Sequence, residues 1–275
     1  MAKQKNVKKT TPLARIVRKT RRVVVKIGSS ILADRNGRIS HKALLGVANG
    51  IAAVQRKGVH VILVSSGAIA SGMQHLGFRK KPKKIAELQA CAAVGQPILI
   101  HMYQKALSRA RIQAAQILLT RPDLENRAQY ANAKHTMREL LKRGIVPIIN
   151  ENDTVVVDEI RVGDNDNLAA LVARLADADL MVLLTDQDGF YTADPRKDPR
   201  AYKIDVVEKI DKRAFARASG TDNVGSVGGM KTKLQAAQKA GRYGVPTVIA
   251  HGREKKVLEK IFAGRAIGSL FLANR

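Results

Sequence analysis

The sequence predicts an α/β protein built on a mostly parallel sheet covered by helices on both faces. Short runs rich in β-branched residues recur along the chain, and helical patterns that stop at a glycine lie between them. The runs are continuously apolar, as strands buried on both faces require. Strand, helix, strand repeated in this order gives parallel neighbours joined by crossover helices. With 275 residues, 45% of them hydrophobic, the chain is long enough to bury a large core. No apolar run approaches the roughly 18 to 20 residues of a membrane span, so no membrane association is expected.

The predicted strands cover residues 23–27, 60–64, 113–119, 145–149, 180–184 and 247–250. The first helical pattern, 42–57, stops at Gly58, and the next, 69–76, at Gly77. A long one spans 85–110 and is expected to break at Pro97, which lacks the N–H a helix interior uses. The remaining helices are read at 128–143, stopped by Gly144, at 168–175, and at 230–243, stopped by Gly244.

Charge is the unusual part of the composition. Lys and Arg number 49 against 23 Asp and Glu, a formal charge of +26, which predicts attraction to polyanions whatever else the chain does. Nine of the positive charges lie in residues 1–22, from Lys3 to Arg22, without one acid. This segment is expected to be a disordered basic tail, and it lacks the apolar stretch of a secretory signal. A second block, RKKPKK at 79–84, reads as an exposed loop. The single Cys91 excludes an internal disulfide framework and a Cys-rich zinc site, and the absence of Trp argues against aromatic platforms for bases.

Ligands of open parallel sheets bind beyond the carboxyl ends of the strands. There the first strand leads into Lys26, Gly28, Ser29 and Ser30, and the second into Ser65, Ser66 and Gly67. The fourth opens on Asn150, Glu151, Asn152 and Asp153, followed shortly by Asp164, Asn165 and Asp166; the fifth ends in Thr185 and Asp186. Finally GSVGGMKTK, 225–233, opens a helix. Phosphoryl transfer needs cations over the migrating group and donors that orient the acceptor, with little covalent work by the protein. Lys26 and Lys233 can supply the cations and Asp164 and Asp166 can orient them. Singly the signals are weak: a glycine-rich turn before a helix is usually a tight connection, and Ser65-Ser66-Gly67 also suits an N-cap. Neither G-x-x-x-x-G-K-[ST] nor an H-R-D loop is present.

Together these stretches resemble a known family. VVVKIGSSIL (23–32), VSSGAIASG (64–72), AAVGQ (92–96), LLTRPDLENR (118–127), IVPIINENDTV (145–155), EIRVGDNDNLAALVA (159–173), LLTDQDGFYTADPR (183–196) and GGMKTKLQAA (228–237) are similar to the glutamate 5-kinases of the amino acid kinase family. The resemblance implies a three-layer α/β/α sandwich over 23–275 and ATP-dependent phosphorylation of the L-glutamate side chain to L-glutamyl 5-phosphate, the first step of proline biosynthesis. It implies Lys26 and Lys233 on the migrating phosphoryl group, with Asp166 holding both lysines. It places L-glutamate on Ser66, Asp153 and Asn165, supported by Asn150 and Asp164. It assigns ATP to Lys26, Gly28, Thr185, Asp186 and the turn Val227, Gly228, Gly229, Met230, Lys231, Thr232, Lys233, with Mg²⁺ carried mainly by the ATP phosphates rather than by a protein metal site.

The resemblance further implies a cytoplasmic homo-oligomer and proline as a feedback inhibitor at a site overlapping that of glutamate. Two departures stand out. The family usually reads Gly-Thr-Gly-Gly-Met where Ser226 and Val227 precede Gly228 here, and the chain stops at Arg275 near the expected end of the kinase domain, so no C-terminal RNA-binding-like domain is expected. Two other readings stay open: a different acceptor within the same family, such as N-acetylglutamate, aspartate or a nucleoside monophosphate, and a non-specific polyanion binder on a kinase scaffold. The second finds no helix-turn-helix, zinc finger or aromatic RNA motif.

Overall fold

The computed structural model describes residues 11–34, 37–155, 165–218 and 229–273. Its first half runs α1 Pro12–Lys19, β1 Arg22–Ile27, α2 Ser29–Leu32, α3 His41–Gln55, β2 His60–Ser65, α4 Ala68–His75, α5 Ile85–Ser108, β3 Ala114–Leu119, α6 Arg121–Glu125, α7 Arg127–Lys142 and β4 Val146–Glu151. The second half runs α8 Asn165–Leu175, β5 Leu180–Thr185, β6 Phe190–Tyr191, β7 Lys203–Ile204, β8 Val206–Val207, α9 Lys212–Ala218, α10 Met230–Arg242, β9 Thr247–His251, α11 Val257–Ile261 and β10 Ser269–Phe271.

Eight strands form one sheet in the order β3-β4-β2-β1-β5-β9-β10-β8, while β6 and β7 make a separate antiparallel pair. Among the described residues, β9 and β10 are the one antiparallel pair of the large sheet. The sheet grows outward from β1 to both sides, so a crevice opens where the chain switches sides beyond β1 and β5.

Alternation along β1 decides what faces that crevice. Val23, Val25 and Ile27 enter the core shared with α3, α5 and α11, whereas Val24 packs on the opposite face with α7, α8 and α10. The two cores on opposite faces make the three layers that the resemblance implies. With a side-chain period of two, Lys26 follows Val24 onto the face of α8 and α10. In register, Ile27 lies beside Ser65 on one flank and Leu184 on the other, and Leu118 beside Asn150, so the candidate residues share one edge of the sheet.

Helices α4 and α5 meet almost backbone to backbone. A Cβ at Gly72 would lie 1.8 Å from the Cys91 carbonyl oxygen, and one at Gly95 the same distance from that of Ala68. Only glycine permits this approach. It fixes the Ser65–Gly67 turn at the head of α4 against the middle of α5.

Two expectations are corrected. Helix α5 continues through Pro97 instead of breaking. Its φ suits a helix, and the burial of Leu88, Cys91 and Ala92 before it and of Leu99, Tyr103 and Leu107 after it holds both halves in place, outweighing the missing bond. The segment 1–22, expected to be disordered, instead contains a helix. Residues 12–19 are helical because Leu13, Ile16 and Val17 form an i, i+3, i+4 stripe that packs on the core, with Thr11 capping through Ala14 N–H and Pro12 in the first turn. Thr11 also donates to the Gly264 carbonyl at 3.1 Å. Arg15, Arg18 and Lys19 stay on the exposed side, and residues 1–10 lie outside the described residues.

Burial of Leu13 at 5% exposure makes α1 part of the core. Leu13→Ala should lower the unfolding free energy by about 2 kcal/mol or more in urea titration. A loss below about 0.5 kcal/mol, the size of an ordinary surface substitution, would return residues 12–19 to the status of an appendage.

Candidate active site

Three side chains from three elements meet beyond the end of β1. Lys26 comes from the strand, Asp166 from the first turn of α8, and Lys233 from the first turn of α10. Lys26 Nζ is 2.5 Å from Asp166 Oδ1 and Lys233 Nζ is 3.3 Å from Asp166 Oδ2. All three are buried, Asp166 at 3% exposure and each lysine at 6%. Thr232 Oγ1 lies 3.0 Å from Asp166 Oδ2 and 3.0 Å from the Gly229 carbonyl oxygen, tying the carboxylate to the turn that starts α10.

Burial alone would raise the Asp166 pKa; the charges of Lys26 and Lys233, with hydrogen bonds from Lys26 and Thr232, override it and bring the carboxyl down to about 2. Burial, only partly offset by Asp166, holds the Lys233 ammonium below its ordinary value. Two ammonium groups around one carboxylate leave a net positive charge in a desolvated place. Such a centre attracts an anion and acts on it more strongly than surface lysines do. Gly28 lies against it: a Cβ there would stand 4.0 Å from Lys26 Nζ and 3.7 Å from the Leu184 carbonyl oxygen, to which the Gly28 N–H donates.

On the β2 and β4 side a second group assembles. Asn165 Nδ2 lies 2.8 Å from Ser66 Oγ, 3.0 Å from Asn150 Oδ1 and 3.2 Å from the Ser65 carbonyl oxygen. Because Asn165 and Asp166 are adjacent, this polar group adjoins the cationic centre. Asp153, two residues past β4, is partly buried; burial, eased slightly by the Lys81 charge, raises its carboxyl to about 6.

On the other side, beyond β5, Thr185 Oγ1 donates to Asp186 Oδ1 at 2.9 Å. Asp186 is on the rim of a cleft of about 210 Å³ that Gly189, Tyr191, Pro195, Arg217 and Met230 also line. Met230 begins α10, so the helix that carries Lys233 also contributes to the wall of the cleft. Tyr191, Pro195 and Arg217 were not singled out as individual site residues from the sequence, although Tyr191 and Pro195 fall inside the run 183–196. Arg217 has no sequence signal.

The structure therefore brings together Lys26, Asp166, Thr232 and Lys233, and separately Ser66, Asn150 and Asn165. Lys231 is exposed. Asp164, Val227 and Gly228 lie outside the described residues. Among the described residues no group of three His, Cys, Asp or Glu side chains is arranged to hold a metal.

The model of the amino acid kinase family matches residues 21–251. A glutamate 5-kinase of Azoarcus sp. (strain BH72) is 50% identical over 94% of this chain and 70% of its own length. One of Geobacter metallireducens is 48% identical with the same coverage. Among solved structures, a UMP kinase from Bacillus anthracis superimposes with a TM-score of 0.61 at 18% identity, covering 93% of this chain and 97% of that one.

Asp166→Asn keeps the shape but leaves two buried ammonium groups without their counter-charge. The expected loss is about 3 to 5 kcal/mol in unfolding free energy at neutral pH. Since the folded-state pKa is depressed, the carboxylate's contribution is present above the ordinary carboxylate range and disappears as pH falls toward 2. A variant as stable as the unmodified chain at pH 7 would mean that the lysines are not held as described.

Proposed function

The chain belongs to the amino acid kinase family and within it to the glutamate 5-kinases, and from that premise we propose that it transfers the γ-phosphoryl group of ATP to the side-chain carboxylate of L-glutamate, giving ADP and L-glutamyl 5-phosphate for proline synthesis. The observation that carries the reading is the buried Lys26–Asp166–Lys233 centre adjoining the Ser66–Asn150–Asn165 group, with helix α10 running from that centre to the cleft beyond β5. Two anionic substrates repel each other, and a buried net positive charge between them offsets that repulsion as the phosphoryl group passes.

Lys26 and Lys233 then neutralise the oxygens of the migrating group while Asp166 keeps both ammonium groups at one place. Ser66 Oγ and Asn165 bind the amino acid, Asn150 supports Asn165 from behind, and the Asp153 carboxylate pairs with the substrate's ammonium group. Thr185, Asp186 and the start of α10 hold ATP, with the nucleoside toward the cleft. The donor chemistry fits Mg²⁺ on phosphate and water oxygens, because Asp166 is committed to two lysines and Mg²⁺ keeps several waters and few protein ligands. There it would neutralise triphosphate charge. Gly28, Val227, Gly228 and Asp164 keep the roles that family membership gives them. By analogy with the family we further infer a cytoplasmic homo-oligomer inhibited by proline. No helix among the described residues is long and apolar enough to cross a membrane.

An assay of ADP release with ATP and L-glutamate, N-acetylglutamate, aspartate and UMP as acceptors tests the reading; only L-glutamate should support turnover. The pH profile adds a residue-level check. Asp153 binds an ammonium group only when ionised, so kcat/KM for glutamate should rise from pH 5 and level off above the Asp153 value of about 6. Asp153→Asn should remove this rise and raise the glutamate KM about 30-fold or more, leaving the ATP KM unchanged. An unaltered profile would remove Asp153 from the acceptor site.

A second reading concerns the charge. Arg15, Arg18, Lys19 and Arg21 are exposed, as are Arg79, Lys80, Lys81, Lys83 and Lys84 around buried Pro82. Such surfaces bind nucleic acid or other polyanions without sequence preference at low salt. Removing residues 1–10, which carry Lys3, Lys5, Lys8 and Lys9, should leave kcat within about twofold and reduce the log–log salt slope of RNA binding by about 0.7 per lost phosphate contact. An unchanged slope would show that those lysines make no phosphate contacts.

A further inference from the structure

The AAVGQ stretch ends in Gln96, a residue that the reaction as described does not use. Gln96 lies in the middle of α5, 8% exposed. Its Oε1 accepts a hydrogen bond from Asn150 Nδ2 at 2.8 Å. Asn150 in turn accepts from Asn165 Nδ2 through Oδ1. A primary amide has one donor end and one acceptor end, so the direction of one such link dictates the next.

The direction is anchored at a backbone group. Asn165 Nδ2 donates to the Ser65 carbonyl oxygen, which can only accept. This fixes the Asn165 NH₂ as the end facing Ser65, Ser66 and Asn150. Asn150 must then present its oxygen to Asn165, and its own NH₂ is turned into the protein toward α5. A buried NH₂ without an acceptor is costly, and Gln96 Oε1 supplies that acceptor. Ser65 is held from behind as well, its Oγ lying 2.9 Å from the buried Tyr103 Oη. The far end of the chain is the consequential one. Asn165 Oδ1 is buried and has no hydrogen-bond partner among the described residues. It is an acceptor in want of a donor, beside the centre where Lys26 and Lys233 already serve anions.

We propose that Gln96 is a positioning residue for the acceptor site: by closing the Asn165–Asn150 amide chain it holds the Asn165 carbonyl oxygen ready for an N–H donor, and so makes the site select an acceptor that bears an ammonium group over the same diacid without one. The proposal rests on the acceptor being an amino acid, as argued above. Gln96 acts through Asn150 and Asn165 and is not placed in contact with substrate. Without it the Asn150 NH₂ seeks another partner, Asn150 rotates, and Asn165 loses one of the three acceptors that hold its amide, keeping only Ser65 and Ser66.

Steady-state kinetics of the full chain with ATP, using L-glutamate and glutarate as acceptors, tests this. Gln96→Met keeps the length of the side chain but removes the acceptor. It should raise the glutamate KM by about tenfold or more and reduce the preference for glutamate over glutarate by a similar factor, with kcat within about threefold and the ATP KM within about twofold. Gln96→Glu retains an acceptor oxygen and should restore the glutamate KM to within about threefold of the unmodified chain.

A Gln96→Met enzyme with an unchanged glutamate KM would overturn the proposal, as would equal impairment of both variants or equal weakening of ATP and glutamate. Should Gln96→Met not fold by circular dichroism, Gln96→Glu decides alone: a KM within threefold with glutarate discrimination intact supports the proposal, and a tenfold rise overturns it. An unmodified chain that transfers nothing to glutamate would overturn the functional reading and this proposal with it, whereas an active chain indifferent to Gln96 overturns the proposal alone.

Discussion

One buried carboxylate holding two buried ammonium groups is the constraint around which the rest of the molecule is arranged. Burying charge is expensive, and a buried ion pair rarely improves stability over a well-packed apolar set. The Asp166 cluster therefore makes sense as a device for chemistry, kept in position by the fold. Meeting it requires β1 to place Lys26 on the face of Val24, and it requires α8 and α10 to begin side by side on that face. It also requires each helix to start at the carboxyl edge of the sheet, so that Asp166 and Lys233 fall in first turns. The parallel topology delivers all of these at once.

The second constraint is the approach of α4 to α5. Gly72 and Gly95 let backbones touch where any side chain would collide, and this brings the Ser65–Gly67 turn within reach of both Tyr103 and the Gln96 end of the amide chain. The acceptor side is thus rigid for a different reason from the cationic centre. One is locked by hydrogen bonds between neutral groups, the other by charge. A neutral, directional network is suited to choosing among substrates, because a ligand that cannot complete it leaves a buried polar group unpaired. A compact cationic centre is suited to stabilising charge whatever carries it.

Much of this was legible in the sequence because the physics was local. Strands announced themselves as β-branched runs, and the glycines after helices marked where the chain turned back. Lys26, Asp166 and Lys233 were legible as residues of the strand-end loops, but their meeting was not, since it depends on two helices separated by more than fifty residues. Helix α1 departs from the expected disorder because its period outweighs its charge: Leu13, Ile16 and Val17 stand at helical spacing behind a Thr-Pro start. Pro97 departs in the opposite sense, a local rule overruled by burial of apolar residues on both sides of it. The role of Gln96 left no local trace, because a buried polar residue in a helix acquires meaning only when its partner across the structure is known.

The high net charge and the catalytic charge are separable quantities. At physiological ionic strength the screening length is about 8 Å, so the exposed lysines and arginines of α1 and of 79–84 act on a distant phosphoryl group only weakly. Lys26 and Lys233 escape that screening because they are buried at 6% exposure each, where the effective dielectric is lower. Their strength depends on Asp166 remaining ionised, and the depressed carboxyl ensures this through the whole neutral range. A chain with the same 49 basic residues distributed only over its surface would attract ATP and polyanions alike and catalyse nothing. What sets these two lysines apart from the surface charge is their burial, together with the one acid that keeps them from repelling each other apart.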